Sequence, residues 1–221
     1  MAQPTIGLIV PPREPFLHPD TRGFAQARFV VEGLGIQEMA AEDFDAALGR
    51  IAEATRALRC RGAGAIALLG TSLSFFRGPD FNQALQETMA REGGCPAVTA
   101  STAVVEALRA LRVTRIAVGT AYDDTMNARL RDYLAASGFE VAALVGMNIR
   151  KVREAMAVTD AAILELAHTV WKEAGVAEAV LISCGAFATA HLLPEMKKRC
   201  GLPVVSTTPT TIAAALSAIA P

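Results

Sequence analysis

Residues 65–74 read Ala65-Ile66-Ala67-Leu68-Leu69-Gly70-Thr71-Ser72-Leu73-Ser74. An apolar run stops on a glycine and then meets hydroxyl side chains, the pattern of a buried strand emptying into a loop. The pattern returns: Val180-Leu181-Ile182-Ser183-Cys184-Gly185 echoes residues 67–72, and Ile6–Pro12 is echoed by Ile116–Tyr122. Further strand candidates are Thr5–Val10, Arg115–Val118, Ala179–Ile182, Pro203–Val205, Pro96–Thr99 and Glu140–Val145. Helical periodicity fills the intervals Asp43–Arg61, Asp80–Arg91, Ser101–Leu111, Asp124–Ser137, Val152–Ala174 with a break near Thr159-Asp160, Thr189–Arg199 and Pro209–Ala220. Thr208 is a candidate cap for the last of these. Strands alternating with helices predict parallel sheets built from βαβ units. The expected fold is therefore α/β, with two pseudo-symmetric halves, each a short parallel sheet flanked by helices, and a site in the cleft between them. Residues 1–113 form the expected N-terminal half and 114–207 the C-terminal half. Residues 208–221 form a final helix expected to pack back on the N-terminal half.

Composition narrows the function. Hydrophobic residues make up 52% of the 221 residues, enough for a well-packed core. The formal charge is -1 and the pI near 6.3, with no basic block or basic–aromatic stripe, which argues against a nucleic-acid surface. The most apolar long stretch, Val176 to Leu193, carries Glu178, Ser183 and His191 and is broken by Gly185, so no membrane span is expected. Thr5–Val10 is too short for a signal-peptide core, and a cytoplasmic protein is expected. The cysteines are Cys60, Cys95, Cys184 and Cys200; none forms a C-x-x-C pair or stands at zinc-ligand spacing from a histidine, so no metal is expected.

Ligands of open parallel sheets bind beyond the carboxyl ends of the strands. Those ends carry Thr71, Ser72, Ser74, Thr120, Tyr122, Ser183, Cys184, Ser206 and Thr207. This ring of hydroxyls, backbone N–H groups and one thiol contains no Asp, Glu or His and suits an anion. Each member has two readings. Thr71 and Ser72 could hold a carboxylate or serve ordinary turn and cap chemistry. Cys184 could act as acid, base or nucleophile beside a helix N-terminus, or be a buried structural thiol. Tyr122 could donate to an anion or simply pack. His18, His168, His191 and Trp171 read as structural or surface residues.

Several blocks carry a resemblance. Thr5–Pro12, Gly70-Thr71-Ser72-Leu73-Ser74-Phe75-Phe76-Arg77-Gly78, Ser101–Val104, Ala121-Tyr122 with Asp124 and Asn127, Ser183-Cys184-Gly185 and Pro203–Ser206 resemble, in order, the arylmalonate decarboxylase family of the aspartate/glutamate racemase superfamily. Racemases and maleate isomerases of that superfamily use one cysteine from each half. Here the C-terminal cysteine matches Cys184, and Gly70 stands at the N-terminal position.

The resemblance implies that a 2-aryl or 2-alkenyl malonate is decarboxylated without cofactor to a chiral monocarboxylic acid. Thr71, Ser72, Tyr122 and backbone N–H groups near Cys184 and Gly185 would hold one carboxylate. The other would lie in an apolar pocket, where an unpaired charge is costly. Cys184 would protonate the resulting enediolate. The substrate-binding candidates are Gly70, Pro11, Pro12, Ile36, Met39, Phe44, Leu69, Val152 and Met156. The implied partner is a small dicarboxylate, with the chain a monomer or small homo-oligomer. Phe44 and Phe76 replace tyrosines of the family pattern, and Ala186 its second glycine. A cation from residues 13–28, namely Arg13, Arg22 or Arg28, reaching the second carboxylate would oppose its loss. The alternatives are a racemase or cis-trans isomerase of the same superfamily acting on a small carboxylate or cyclic ureide, disfavoured by Gly70, and a non-catalytic small-carboxylate binding protein.

Overall fold

The computed structural model describes residues 3–219; positions 1, 2, 220 and 221, which the expected segment boundaries include, lie outside the described residues. Two four-stranded parallel sheets repeat one topology. The first contains β1 (Thr5–Val10), β2 (Arg28–Gly33), β3 (Ala65–Leu68) and β4 (Ala97–Thr99) in the order β2-β1-β3-β4. The second contains β5 (Arg115–Thr120), β6 (Glu140–Gly146), β7 (Ala179–Ser183) and β8 (Val204–Ser206) in the order β6-β5-β7-β8. The inner strands β1, β3, β5 and β7 are apolar on both faces and almost entirely buried, as parallel strands covered by helices must be. β2 went unseen in the sequence. It is an edge strand, Arg28-Phe29-Val30-Val31-Glu32-Gly33, with only Val30 buried and no continuous apolar run to mark it.

The helices are α1 (Ala41–Cys60), α2 (Thr71–Phe75), α3 (Pro79–Gly93), α4 (Ala100–Ala110), α5 (Asp124–Ala136), α6 (Val152–Met156), α7 (Asp160–Glu173), α8 (Leu193–Cys200) and α9 (Thr207–Ser217). Side-chain caps fix several starts: Thr99 accepts from the Thr102 N–H, Asp123 from Met126 and Thr159 from Ala162. The break expected at Thr159-Asp160 is thus the cap of α7. Two boundaries differ from expectation. α9 starts at Thr207 with Ser206 as its cap residue, so Thr208 is not the cap. α8 starts at Leu193, so residues 184–192 form a loop in which no helix begins. α9 packs on α4, β3 and β4, touches a 3-10 turn at Pro19–Phe24, and also meets β7 and β8.

Register shows how the halves correspond. Ala65 pairs with Ile6 in the first sheet, and Ala179 pairs with Ile116 in the second. Ile6 and Ile116 are both second residues of their strands. Five residues beyond Ala65 and Ala179 stand Gly70 and Cys184, which are therefore structural equivalents. The sequence echo quoted above was offset by one residue, since it set Cys184 against Thr71.

The two halves also join directly. The Met39 N–H donates to the Arg150 carbonyl at 2.8 Å, and the Val152 N–H to the Gln37 carbonyl at 2.9 Å, forming an antiparallel bridge between Glu38 and Lys151. Among the described residues no helix is long and apolar enough to cross a membrane.

Candidate active site

A small cavity of about 20 Å³ lies at the carboxyl ends of β1, β3, β5 and β7. Pro11, Leu69, Gly70, Thr71, Ser72, Leu73, Tyr122, Cys184, Gly185 and Ala186 line one part of it; Ile36, Met39, Phe44 and Val152 complete the wall. No charged residue is among them. The cavity is just large enough for one water molecule.

Of the nine strand-end residues, four reach this cavity: Thr71, Ser72, Tyr122 and Cys184. The others hold the frame. The Ser74 hydroxyl donates to the Thr71 carbonyl at 2.8 Å and lies 2.6 Å from the Ser101 hydroxyl. Thr120 donates to Asn127 Oδ1 at 2.7 Å, and Asn127 Nδ2 donates to the Tyr122 carbonyl at 3.2 Å, which fixes the backbone beneath the phenol. Ser206 pairs with Thr189, and Thr207 donates to the Ile182 carbonyl. Ser183 is buried and lies close enough to Tyr122 to favour its phenolate.

Tyr122 and Thr71 stand apart from that frame. The Tyr122 hydroxyl and Thr71 Oγ1 are buried, and neither has a hydrogen-bond partner. A buried polar atom left unpaired costs about 1–3 kcal/mol, so each unmet group needs an explanation. The ring of Phe75 packs edge-on against Tyr122, with centroids 5.7 Å apart, and sets the direction of the phenol. Burial, reinforced by the neighbouring Cys184, drives the Tyr122 pKa well above its ordinary value, while Ser183, Thr71 and Ser72 oppose this. Tyr122 is therefore a neutral hydrogen-bond donor.

Cys184 is 3% exposed. Burial raises its pKa to about 11, and the backbone N–H groups of Ala186 and Phe187 only partly counter this. The thiol is protonated at neutral pH. The sequence had suggested a helix N-terminus that would favour thiolate; a loop occupies that place. Gly185 is required for the approach of the two halves. A Cβ on it would lie 2.0 Å from the Leu69 carbonyl oxygen and 3.3 Å from Thr71 Oγ1. Gly70 is under no such constraint, since a Cβ there would meet only ordinary contacts, the nearest being Leu73 Cβ at 3.4 Å.

Pro12 and Met156 do not line the cavity. They line an outer space of about 750 Å³ with Arg13, Glu14, Pro15, Phe16, Gln37, Glu38, Lys151 and Arg153. Ile36 and Val152 border both spaces. The arginines of residues 13–28 stay out of the inner cavity: Arg13 faces the outer space, Arg22 is exposed on the 3-10 turn, and Arg28 binds Thr5 and the Arg61 carbonyl. Leu73 and Ala186 belong to the wall and had not been singled out as pocket residues. Leu73 sits inside the quoted Gly70–Ser74 block, where a helical turn after Gly70 would have brought it inward.

A family model described as arylmalonate decarboxylase matches residues 6–220. The arylmalonate decarboxylase of Bordetella bronchiseptica is 38% identical over 207 residues, covering 93% of this chain and 86% of that one. Among solved structures, a double mutant of arylmalonate decarboxylase in the liganded form superposes with a TM-score of 0.94 at 35% identity, covering 97% of this chain and 92% of that one. A second arylmalonate decarboxylase crystal structure gives 0.88 at 36% identity with the same coverage. Nocardia farcinica maleate cis-trans isomerase shares the fold, with a TM-score of 0.86 at 17% identity over 98% of this chain and 92% of that one. Matched along nearly its whole length in sequence and in structure, this chain belongs to the arylmalonate decarboxylase family and is a decarboxylase.

Proposed function

We propose that the protein decarboxylates a 2-aryl or 2-alkenyl malonate to a chiral monocarboxylic acid, without a cofactor, using Cys184 as the proton donor. The observation that carries this reading is the pair of buried, unpartnered hydroxyls, Tyr122 OH and Thr71 Oγ1, beside a protonated thiol in a cavity with no charged wall. An anion supplies the partners these hydroxyls lack. One carboxylate of the substrate binds Thr71, Ser72, Tyr122 and the Gly185 backbone. The other lies against Pro11, Ile36, Leu69, Leu73 and Val152, where nothing compensates its charge. Its C–C bond breaks, CO2 leaves, and the electron pair remains as an enediolate held by the same donors. The Cys184 S–H proton passes to one face of the carbon, and the thiolate regains a proton from solvent.

A cavity for one water cannot hold the whole substrate. The substituent therefore extends past Ile36 and Val152 into the outer space, where Pro12, Phe16 and Met156 offer apolar surface.

The test uses phenylmalonate and 2-methyl-2-phenylmalonate in deuterated water with a chelator present, following CO2 and deuterium at C2. Rapid CO2 release with one enantiomer from the methyl substrate is expected. Absence of CO2 release would remove arylmalonates as substrates. Binding of a malonate without turnover would favour a carboxylate-binding protein.

Two variants sharpen the roles. Tyr122→Phe is expected to lower kcat about 10²–10³-fold, the usual effect of losing one oxyanion donor. Its melting temperature should hold or rise, because the change removes a buried hydroxyl that has no partner. A parallel loss of activity and stability would mean that the phenol supports the fold instead. Gly70→Cys places a second thiol at the pseudo-symmetric equivalent of Cys184, in a position where a Cβ fits. The enantiomeric excess of the product acid should fall, and the acid should exchange its α-hydrogen with solvent. An unchanged enantiomeric excess would show that Gly70 does not face the reacting carbon.

A further inference from the structure

The loop that carries Cys184 is tied at its far end by residues distant in sequence. Asp20 is 2% exposed and stands in the 3-10 turn after β1. The backbone N–H groups of Thr189 and Ala190 both donate to Asp20 Oδ1, at 2.8 and 2.9 Å. The Thr189 hydroxyl lies 3.3 Å from Asp20 Oδ2 and 2.7 Å from the Ser206 hydroxyl. His18, 1% exposed, accepts from the Asp20 N–H through Nδ1 at 3.2 Å. Burial lowers the His18 pKa, with Asp20 and the Ala186 backbone opposing, so the imidazole is neutral. Nearer the thiol, Thr208 donates to the Gly185 carbonyl at 3.2 Å.

This is more anchoring than a connecting loop needs. Residues 184–192 have no regular structure of their own, and buried backbone groups there must be satisfied from outside. Asp20 supplies two of those bonds from the opposite half of the molecule. We infer that Asp20, supported by His18, is a positioning residue that holds the loop Cys184–Ala190 so that the thiol faces one side of the bound substrate. This inference rests on Cys184 being the proton donor. The bonds that matter are those to Oδ1, which an asparagine keeps.

The test compares Asp20→Ala and Asp20→Asn with the parent, using 2-methyl-2-phenylmalonate and iodoacetamide. In Asp20→Ala, kcat should fall about tenfold or more, since a displacement near 1 Å can cost as much as 10²-fold. KM should stay close to the parent value and the enantiomeric excess should drop. Alkylation of Cys184 should accelerate about tenfold as the loop opens locally. Asp20→Asn should recover most of the kcat and the enantiomeric excess. A folded Asp20→Ala with parental kcat, enantiomeric excess and alkylation rate overturns the inference. So does an Asp20→Asn as impaired as Asp20→Ala, which would assign the effect to charge. Should Asp20→Ala not fold, Asp20→Ser, whose shorter hydroxyl withdraws the acceptor from the Thr189 and Ala190 N–H groups while keeping a polar side chain, reads the same loop, and parental selectivity and alkylation in that variant overturn it. Should the parent itself release no CO2, the functional reading fails, while the alkylation comparison still decides whether Asp20 holds the loop.

Discussion

Cys184→Ser is expected to lower the rate of decarboxylation about 10²- to 10⁴-fold, the range supplied by a positioned proton donor, with folding intact. Serine replaces sulfur with a smaller atom in a buried position, and its hydroxyl is a far weaker acid than a thiol. The donors Thr71, Ser72 and Tyr122 are left in place, so malonate binding should survive. Loss of binding along with turnover would show that the substitution disturbs the anion hole. The pH profile gives a second check. Burial holds the thiol pKa at about 11, so a rate that needs the protonated form should stay level through neutral pH and fall as pH passes about 11. A rate that climbs toward pH 11 would assign Cys184 the role of thiolate base. Stability follows the same group. The native thiol ionises near 11 and an ordinary one near 9.0, so the stability it contributes is complete below pH 9 and is lost as pH rises toward 11. Two pH units correspond to about 2–3 kcal/mol. Cys184→Ser lacks this loss, so the difference in melting temperature between parent and variant should shift in favour of the variant across that interval.

Gly185→Ala should be the most damaging change of a single methyl group in the site. The added carbon would stand 2.0 Å from the Leu69 carbonyl oxygen, a backbone atom at the end of β3, and the Leu69 N–H is itself bound to the Ile9 carbonyl at 2.9 Å. Neither partner can move without disturbing the sheet, so the loop bearing Cys184 must retreat. Overpacking of this kind costs about 1–3 kcal/mol, or roughly 2–12 °C in melting temperature for a chain of this size. Turnover should fall about 10²-fold, because donors and thiol no longer converge on one point. A crystal structure of the variant with the loop unmoved, or retention of parental kcat, would show that the approach of the halves is looser than this.

The reactive part of the fold was legible because it is built from buried strands. Ala65–Leu68 and Ala179–Ser183 are apolar on both faces, so the residues that follow them are marked as strand ends in the chain itself. β2 was not, because an edge strand half open to solvent has no such signature. Of the pocket candidates, Ile36, Met39, Phe44 and Val152 stand in the wall of the inner cavity, whereas Pro12 and Met156 stand only in the outer space. Val152 and Met156 share a helix face, yet they are four residues apart, about 6 Å along the helix axis. That step carries Met156 from the cavity to the outer space, where it is 40% exposed. The protonation state of Cys184 is not legible in the sequence, because it is set mainly by how deeply the fold buries the thiol. The Asp20–Thr189 contact could not be read at all. The partners are 169 residues apart, and neither lies in a motif.

The backbone bridge between Glu38 and Lys151 has a consequence for the isotopic history of the product. It joins the two segments that supply Ile36, Met39 and Val152 to the wall, and with these in place the cavity has room for one water. If Cys184 is the proton donor, and a bound substrate fills the gap past Ile36 and Val152, the thiol cannot trade its hydrogen with bulk solvent until product leaves. The hydrogen that arrives at C2 is then the one the sulfur carried when the chamber sealed. Product made in the first turnover after a rapid jump from ordinary to deuterated water would keep a record of the earlier solvent, and every later turnover would lose it.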